Sequence, residues 1–239
     1  AGAGLSSSAS LELAVAQALL GAAGRVLDPT TLAQAAQRAE NEFVGCRCGV
    51  MDQLVSARGV AGHALLIDCR SLAAHPIALP EGTALLIAHS RVRRGLVDSA
   101  YNERRAACEA AALELGVPAL RDALLTDVTL APRDAVMWRR ARHVITENRR
   151  TIDAAAALAR GDMRAMGALM AASHASRRDD FEITVPAIDQ LAALMHEAIG
   201  GEGGARMTGG GFGGCVVGVM PADRMAHVRR AVESGYRSP

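Results

Sequence analysis

The chain has 239 residues, half of them hydrophobic, 21% charged and only 3% aromatic, with a formal net charge of +1. That length holds one large or two small packed domains around an aliphatic core, and the near-neutral balance argues against a nucleic-acid partner, which needs a cationic excess. Every one of the 26 basic residues is arginine, so a Walker A loop, a protein-kinase core and Schiff-base chemistry, each of which requires a lysine, are excluded.

Residues 1–21, AGAGLSSSASLELAVAQALLG, predict a Gly/Ser loop, a serine cap and an aliphatic helix ended by Gly21. Leu32, Ala35, Ala36, Ala39 and Phe43 keep helical spacing up to a break at Gly45, with Glu40 on the last turn. CRCGVMDQLVSARG reads as a tight turn and a short helix opening near Asp52. HALLID and TALLIAHS read as buried strands separated by His75-Pro76 and Pro80. A boundary near residue 80 divides a 1–80 part from an 81–239 part. From Gly95 to Gly200 the period is helical: around Tyr101 to Leu115, from Arg133 to Arg160, around Met163 to Ser173, and after Pro186. ARMTGGGFGGCVVGVMP places a glycine loop before a continuous apolar strand, and Ala222 to Gly235 is again helical. The class is α+β.

Cys46, Cys48, Cys69, Cys108 and Cys215 are odd in number and form no CxxC pair, which predicts reduced thiols in a cytoplasmic protein. No apolar run approaches the roughly 18 residues of a membrane span and no signal peptide opens the chain, so no membrane partner is expected. Ala1 leads directly into the Gly/Ser loop, which reads as a piece cut from something longer.

Gly2, Gly4, Ser6, Ser7 and Ser8 precede a helix whose first N–H groups lack internal partners, a setting that attracts phosphate; a serine-rich cap that binds nothing is the plainer alternative. Thr208 to Cys215 holds five glycines among eight residues, implying positive φ angles or a ligand against the backbone, or else a hinge. Asp52 and Glu40 are two carboxylates able to converge on a proton or a metal, or simply a helix cap and a solvated face. Arg177 to Asp180 reads as an ion-paired surface run, and Tyr101 as a helix-packing residue.

The segments GAGLSSSAS, ENEFVGCRCGVMDQ, ALLIDCRSL, YNERRAAC, SHASRRDDFEITVP and RMTGGGFGGC occur here in the order found in galactokinases, and the sequence resembles that family from Ala1 to its end. The wider family comprises galactokinase, homoserine kinase, mevalonate kinase and phosphomevalonate kinase. The resemblance implies a two-domain fold, with a ribosomal-protein-S5-like N-terminal part, here truncated, and a ferredoxin-like C-terminal domain. It implies phosphorylation of α-D-galactose at the C1 hydroxyl, with ATP as co-substrate and Mg2+ as cofactor. Position by position, Gly2, Gly4, Leu5, Ser6, Ser7, Ser8 and Ala9 would wrap the nucleotide phosphates. Ser8 and Glu40 would hold the metal, with Ser7 the alternative. Asp52 would be the catalytic residue, and Gly49, Asp52 and Tyr101 would meet the sugar. Gly209, Gly210, Gly211, Phe212, Gly213 and Gly214 match the family's third motif. The family's sugar-clamping segment is not in the chain, so activity is expected of the complete protein, a monomer, and not of these residues alone. A galactose- and ATP-binding regulatory sensor and an N-acetylgalactosamine kinase share these motifs and are the alternatives.

Overall fold

A computed structural model of the protein describes residues 5–92, 97–130 and 134–237. The chain forms two compact units, Ala1–Leu79 and Pro80–Pro239.

In the first unit three helices, α1 (Ser7–Ala22), α2 (Pro29–Ala39) and α3 (Met51–Arg58), precede strands β1 (His63–Ile67) and β2 (Ala74–Ala78). Asp28 starts α2, accepting the Thr31 amide at 3.0 Å, with Pro29 in the first turn where its missing N–H costs nothing. Leu13, Leu32, Ala36 and Leu54 fill the space between the helices. The sequence reading ends α1 at Gly21, but the helix runs to Ala22 and closes through left-handed Gly24 (φ 63°), with the Arg25 amide on the Leu20 carbonyl at 2.8 Å. After α2 the chain makes one π turn, Glu40–Val44, and stops at Gly45 (φ 84°).

The expected break at His75-Pro76 is instead the middle of β2, which pairs antiparallel with β1, Leu65 opposite Pro76. In a two-stranded ribbon each strand has an open edge, so a proline can sit there without removing a ladder bond. β1 is half-buried rather than buried, because such a ribbon has only one face to cover.

The second unit contains β3 (Thr83–His89), α4 (Val97–Glu114), α5 (Leu125–Leu130), α6 (Ala135–Ala159), α7 (Met163–Asp179), α8 (Pro186–Ile199), β4 (Gly204–Met207), β5 (Cys215–Pro221) and α9 (Met225–Gly235). Its antiparallel sheet has the order β3-β5-β4. β5 is central and almost wholly buried, as its apolar run predicts. β3 was expected to be buried too, but as an edge strand it turns Ala84, Leu86 and Ala88 to the core while Leu85 and Ile87 each remain 50% exposed. The core is aliphatic: Ile188, Leu191, Met195, Val216, Met220 and Val228 are fully buried. A second cluster, Ala111, Leu120, Trp138 and Ala141, joins α4 to α6.

β4 has no counterpart in the sequence reading, since four residues after a run of glycines are too short to show alternation. It packs against α7 through backbone: a Cβ on Gly167 would overlap the Gly203 carbonyl, and one on Gly204 would lie 2.8 Å from the Gly167 Cα. His174 ties the same elements together. The Met207 amide donates to its Nδ1 at 3.2 Å, which leaves Nε2 to donate to the Asp189 carboxylate at 3.1 Å. Burial lowers the His174 pKa, so the imidazole makes this link neutral. Among the described residues no helix is long and apolar enough to cross a membrane.

Candidate functional site

Gly2 and Gly4 of the expected phosphate loop lie outside the described residues. Leu5, Ser7 and Ser8 are exposed, Ser6 is half-buried and Ala9 is buried. The expected serine cap is absent: Ser6 occupies the cap position in a left-handed conformation (φ 54°, ψ 35°) and its side chain makes no capping hydrogen bond among the described residues. The first turn of α1 holds no acidic residue either. Its amide N–H groups therefore keep their pull on an external anion, which a capping hydroxyl or carboxylate would have blunted. The Ser10 hydroxyl bonds the Ser6 carbonyl at 3.0 Å and the Ser56 hydroxyl at 3.1 Å, tying the start of α1 to α3. Asp52 lies one helical turn before Ser56 and so shares its face of α3.

Asp52 is half-buried and is not the helix cap; that position is Val50, without a side-chain bond. The turn before it is pinned to α2 by Gln37, whose Nε2 donates to the Cys48 carbonyl at 3.1 Å, and Gly49 is exposed there. Burial pushes the Cys48 thiol up to about 11, so it is no nucleophile at neutral pH. Glu40 is not a solvated face. Its Oε2 is buried with no hydrogen-bond partner among the described residues, and the same holds for Oε2 of Glu12, whose carboxyl lies against that of Glu40. Two uncompensated carboxylate oxygens, with the serine hydroxyls of α1, make a hard-oxygen donor set that suits Mg2+. Among the described residues no three His, Cys, Asp or Glu form a cage.

Glu12 was not singled out from the sequence, although its place one turn after Ser8 on α1 was a readable signal. Burial, and then contact with Glu40, raises its pKa from 4.5 to about 7. A raised carboxyl favours folding when protonated, and that contribution is lost as pH rises from about 4.5 through 7. Glu12→Gln keeps the protonated shape. It is expected to match the wild type in urea unfolding below pH 4 and to exceed it at pH 8 by about 1 kcal/mol after screening. A difference that does not change with pH would refute the raised Glu12 pKa.

In the second unit the glycine loop takes the conformations its composition predicts: Gly209, Gly211, Gly213 and Gly214 have φ of 78°, 93°, 127° and 85°, and Phe212 has 58°. Gly210 needs no special φ; it passes Tyr101, whose ring carbon would be 3.9 Å from an added Cβ. Gly213 lies against Val92, where a Cβ would meet the carbonyl at 2.9 Å. Tyr101 is half-buried on α4 and lines a cavity of about 160 Å3 together with Arg104, His143, Arg177 and Gly209. It is thus more than a helix-packing residue.

The run Arg177–Asp180 is only partly a surface. Arg178 and Asp179 pair in solvent, whereas Asp180 is buried, taking the Arg142 guanidinium and the Ser176 hydroxyl. Burial and Arg206 push Arg177 down to about 10, and its nearest carboxylate, Glu147 at 3.6 Å, also serves Arg150 and Ser173. Arg177 Nη1 approaches the Gly209 carbonyl at 3.5 Å. Burial holds His143 down near 4; its ring stacks on Phe181 with centroids 4.5 Å apart, and Nδ1 meets the Ser176 hydroxyl at 2.9 Å. None of this network was legible as a site, because a periodic helix face of charges looks the same whether it meets water or another helix.

The GHMP kinases N terminal domain matches residues 1–60, and the GHMP kinases C terminal domain matches residues 154–238. The chain is similar to the crystal structure of Lactococcus lactis galactokinase complexed with galactose, with 33% identity and a TM-score of 0.90 over 97% of this chain and 61% of that one. It also shares its fold with L. major mevalonate kinase in complex with R-mevalonate, at 16% identity and a TM-score of 0.66 over 98% of this chain and 62% of that one. Streptococcus pneumoniae phosphomevalonate kinase in complex with phosphomevalonate and AMPPNP is alike in fold at 11% identity and a TM-score of 0.62, over 92% of this chain and 62% of that one. The chain therefore spans a little over three fifths of the length of these kinases. With both characteristic domains matched in order, it belongs to the GHMP kinase family.

Proposed function

We propose that the chain is part of a galactokinase, which transfers the γ-phosphoryl group of ATP to the C1 hydroxyl of galactose. The observation that carries this reading is the likeness to the Lactococcus protein over 97% of the chain, at twice the identity of the mevalonate kinase. The uncapped start of α1 supports phosphate binding through Leu5, Ser6, Ser7, Ser8 and Ala9, with Gly2 and Gly4 ahead of them. Glu40 and Ser8 would hold Mg2+, which when bound neutralises phosphate charge. Asp52 accepts the proton of the sugar hydroxyl as it attacks, or orients that hydroxyl in line. By the family likeness Gly49 and Tyr101 are each assigned to the sugar, and Gly209 to Gly214 to a floor of the site, where Gly209, Gly211, Gly213 and Gly214 have positive φ. A domain division near residue 80 separates the phosphate and proton chemistry from Tyr101 and the glycine loop.

The test is coupled ADP release by the full coding sequence that contains this chain, with galactose or N-acetylgalactosamine as acceptor. Galactose-dependent release is expected, and residues 1–239 alone are expected to show none. ADP release with N-acetylgalactosamine only would reassign the substrate, and ligand binding without turnover would favour a sensor.

A further inference from the structure

The glycine loop does not stand by itself. Its inner face rests on the chain between α7 and α8: the Phe212 amide donates to the Ile183 carbonyl at 2.7 Å, and a Cβ on Gly211 would lie 2.7 Å from the Ile183 Cβ. That support is itself strained, because Glu182 is a non-glycine residue with φ of 52°, a conformation that persists only where its surroundings enforce it. Arginines enforce it. From α6, Arg140 bonds the Asp180 carbonyl and reaches the Glu182 carboxylate at 2.5 Å, and Arg139 takes the other Glu182 oxygen at 2.8 Å. From α4, Arg104 donates Nε to the Phe181 carbonyl at 2.8 Å and Nη2 to the Glu182 carbonyl at 3.2 Å.

Arg104 differs from the others in what else it touches. Its guanidinium carbon lies 5.9 Å from the centre of the Phe212 ring, so it grips the support and the loop at once. It is also three residues after Tyr101 on α4, on the same side of that helix. One helix thus meets the loop twice, through Tyr101 beside Gly210 and through Arg104 beside Phe212. The planar fork of a guanidinium is what lets a single side chain satisfy two successive carbonyls in fixed geometry, and an ammonium has no equivalent.

We propose that Arg104 is a positioning residue: by clasping the 181–182 carbonyls and the Phe212 ring it sets the distance between Tyr101 and the third glycine loop. This rests on the galactokinase reading for what Tyr101 and the loop hold, but the clasp itself can be tested without any substrate. In residues 1–239, Arg104→Gln is expected to speed hydrogen exchange of the Phe212 amide about tenfold, as local opening becomes easier, while amides of β5 exchange as before. In the full protein it is expected to raise the KM for galactose and lower kcat, each about tenfold, a scale typical of a misplaced acceptor. KM for ATP is expected to stay within about twofold, since the phosphates are assigned to α1. Arg104→Lys keeps the charge and N–H donors but not the planar fork, and is expected to recover part of the KM change. Unchanged Phe212 exchange, or a loss of kcat with both KM values unchanged, would overturn the inference and leave the galactokinase reading standing. A wild-type protein with no galactose-dependent ADP release would overturn both.

Discussion

Asp52→Asn in the full protein is expected to lower kcat by about 10² or more, the usual scale for removing a general base. The substitution is nearly isosteric and sits in the first turn of α3, where Asp52 is not the cap residue, that position being Val50. Asparagine keeps an acceptor oxygen but cannot take up a proton, so orientation survives and proton transfer does not. The binding of ATP is expected to persist, because the proposed phosphate donors are the amides that open α1. Single-turnover measurement of the chemical step, with ATP affinity measured separately, checks both halves. A variant that runs at wild-type speed removes Asp52 from the reaction.

The second large effect is structural. Gly167→Ala is expected to cost about 3 kcal/mol and to lower Tm by roughly 10 °C in calorimetry of residues 1–239, at the upper end for a single added methyl group. The methyl would enter the Gly203 carbonyl, and that atom has little room to retreat, because a Cβ at Gly203 would in turn overlap the Val219 carbonyl. Helix propensity runs the other way, since alanine is favoured over glycine in a helix by about 1 kcal/mol. The sign of the measured change therefore decides between the two effects, and any stabilisation would show that the contact can relax.

Where local pattern and tertiary role coincide, the sequence is a good guide. The helix expected from Arg133 to Arg160 is Ala135–Ala159, because Asp134 caps it and no Gly or Pro interrupts its interior. The glycine loop and the apolar strand after it are legible for the same reason: nothing but unusual backbone angles explains five glycines in eight residues. Elements whose partners are distant in sequence are not legible. β2 looks like a break until β1 is seen beside it, and β4 looks like loop because its stability comes from α7 and β5. At the candidate site, Glu40 and Asp52 stand out as carboxylates and take their roles from a family likeness, and Glu12 is signalled only by its spacing from Ser8, whereas Arg104 and Arg177 depend on contacts across helices that no spacing encodes. Ser6 shows the converse. Its residue type signals a cap, and its left-handed φ takes the hydroxyl out of that role.

The backbone contact between α7 and β4 also constrains how the glycine loop can move. Side-chain contacts give by rotating about a bond, but three glycines meeting main chain to main chain leave nothing to rotate, and packed interiors compress little. α7 then behaves as a strut: near one end it bears on the strand that leads into the loop, and at the other it delivers the turn on which the loop rests. Two of the loop's anchorages thus travel with one rigid rod. A displacement of the loop that carries those two anchorages with it is therefore a tilt of α7 with its strand, a slow collective movement, and not the rapid local flapping that so many glycines would otherwise permit.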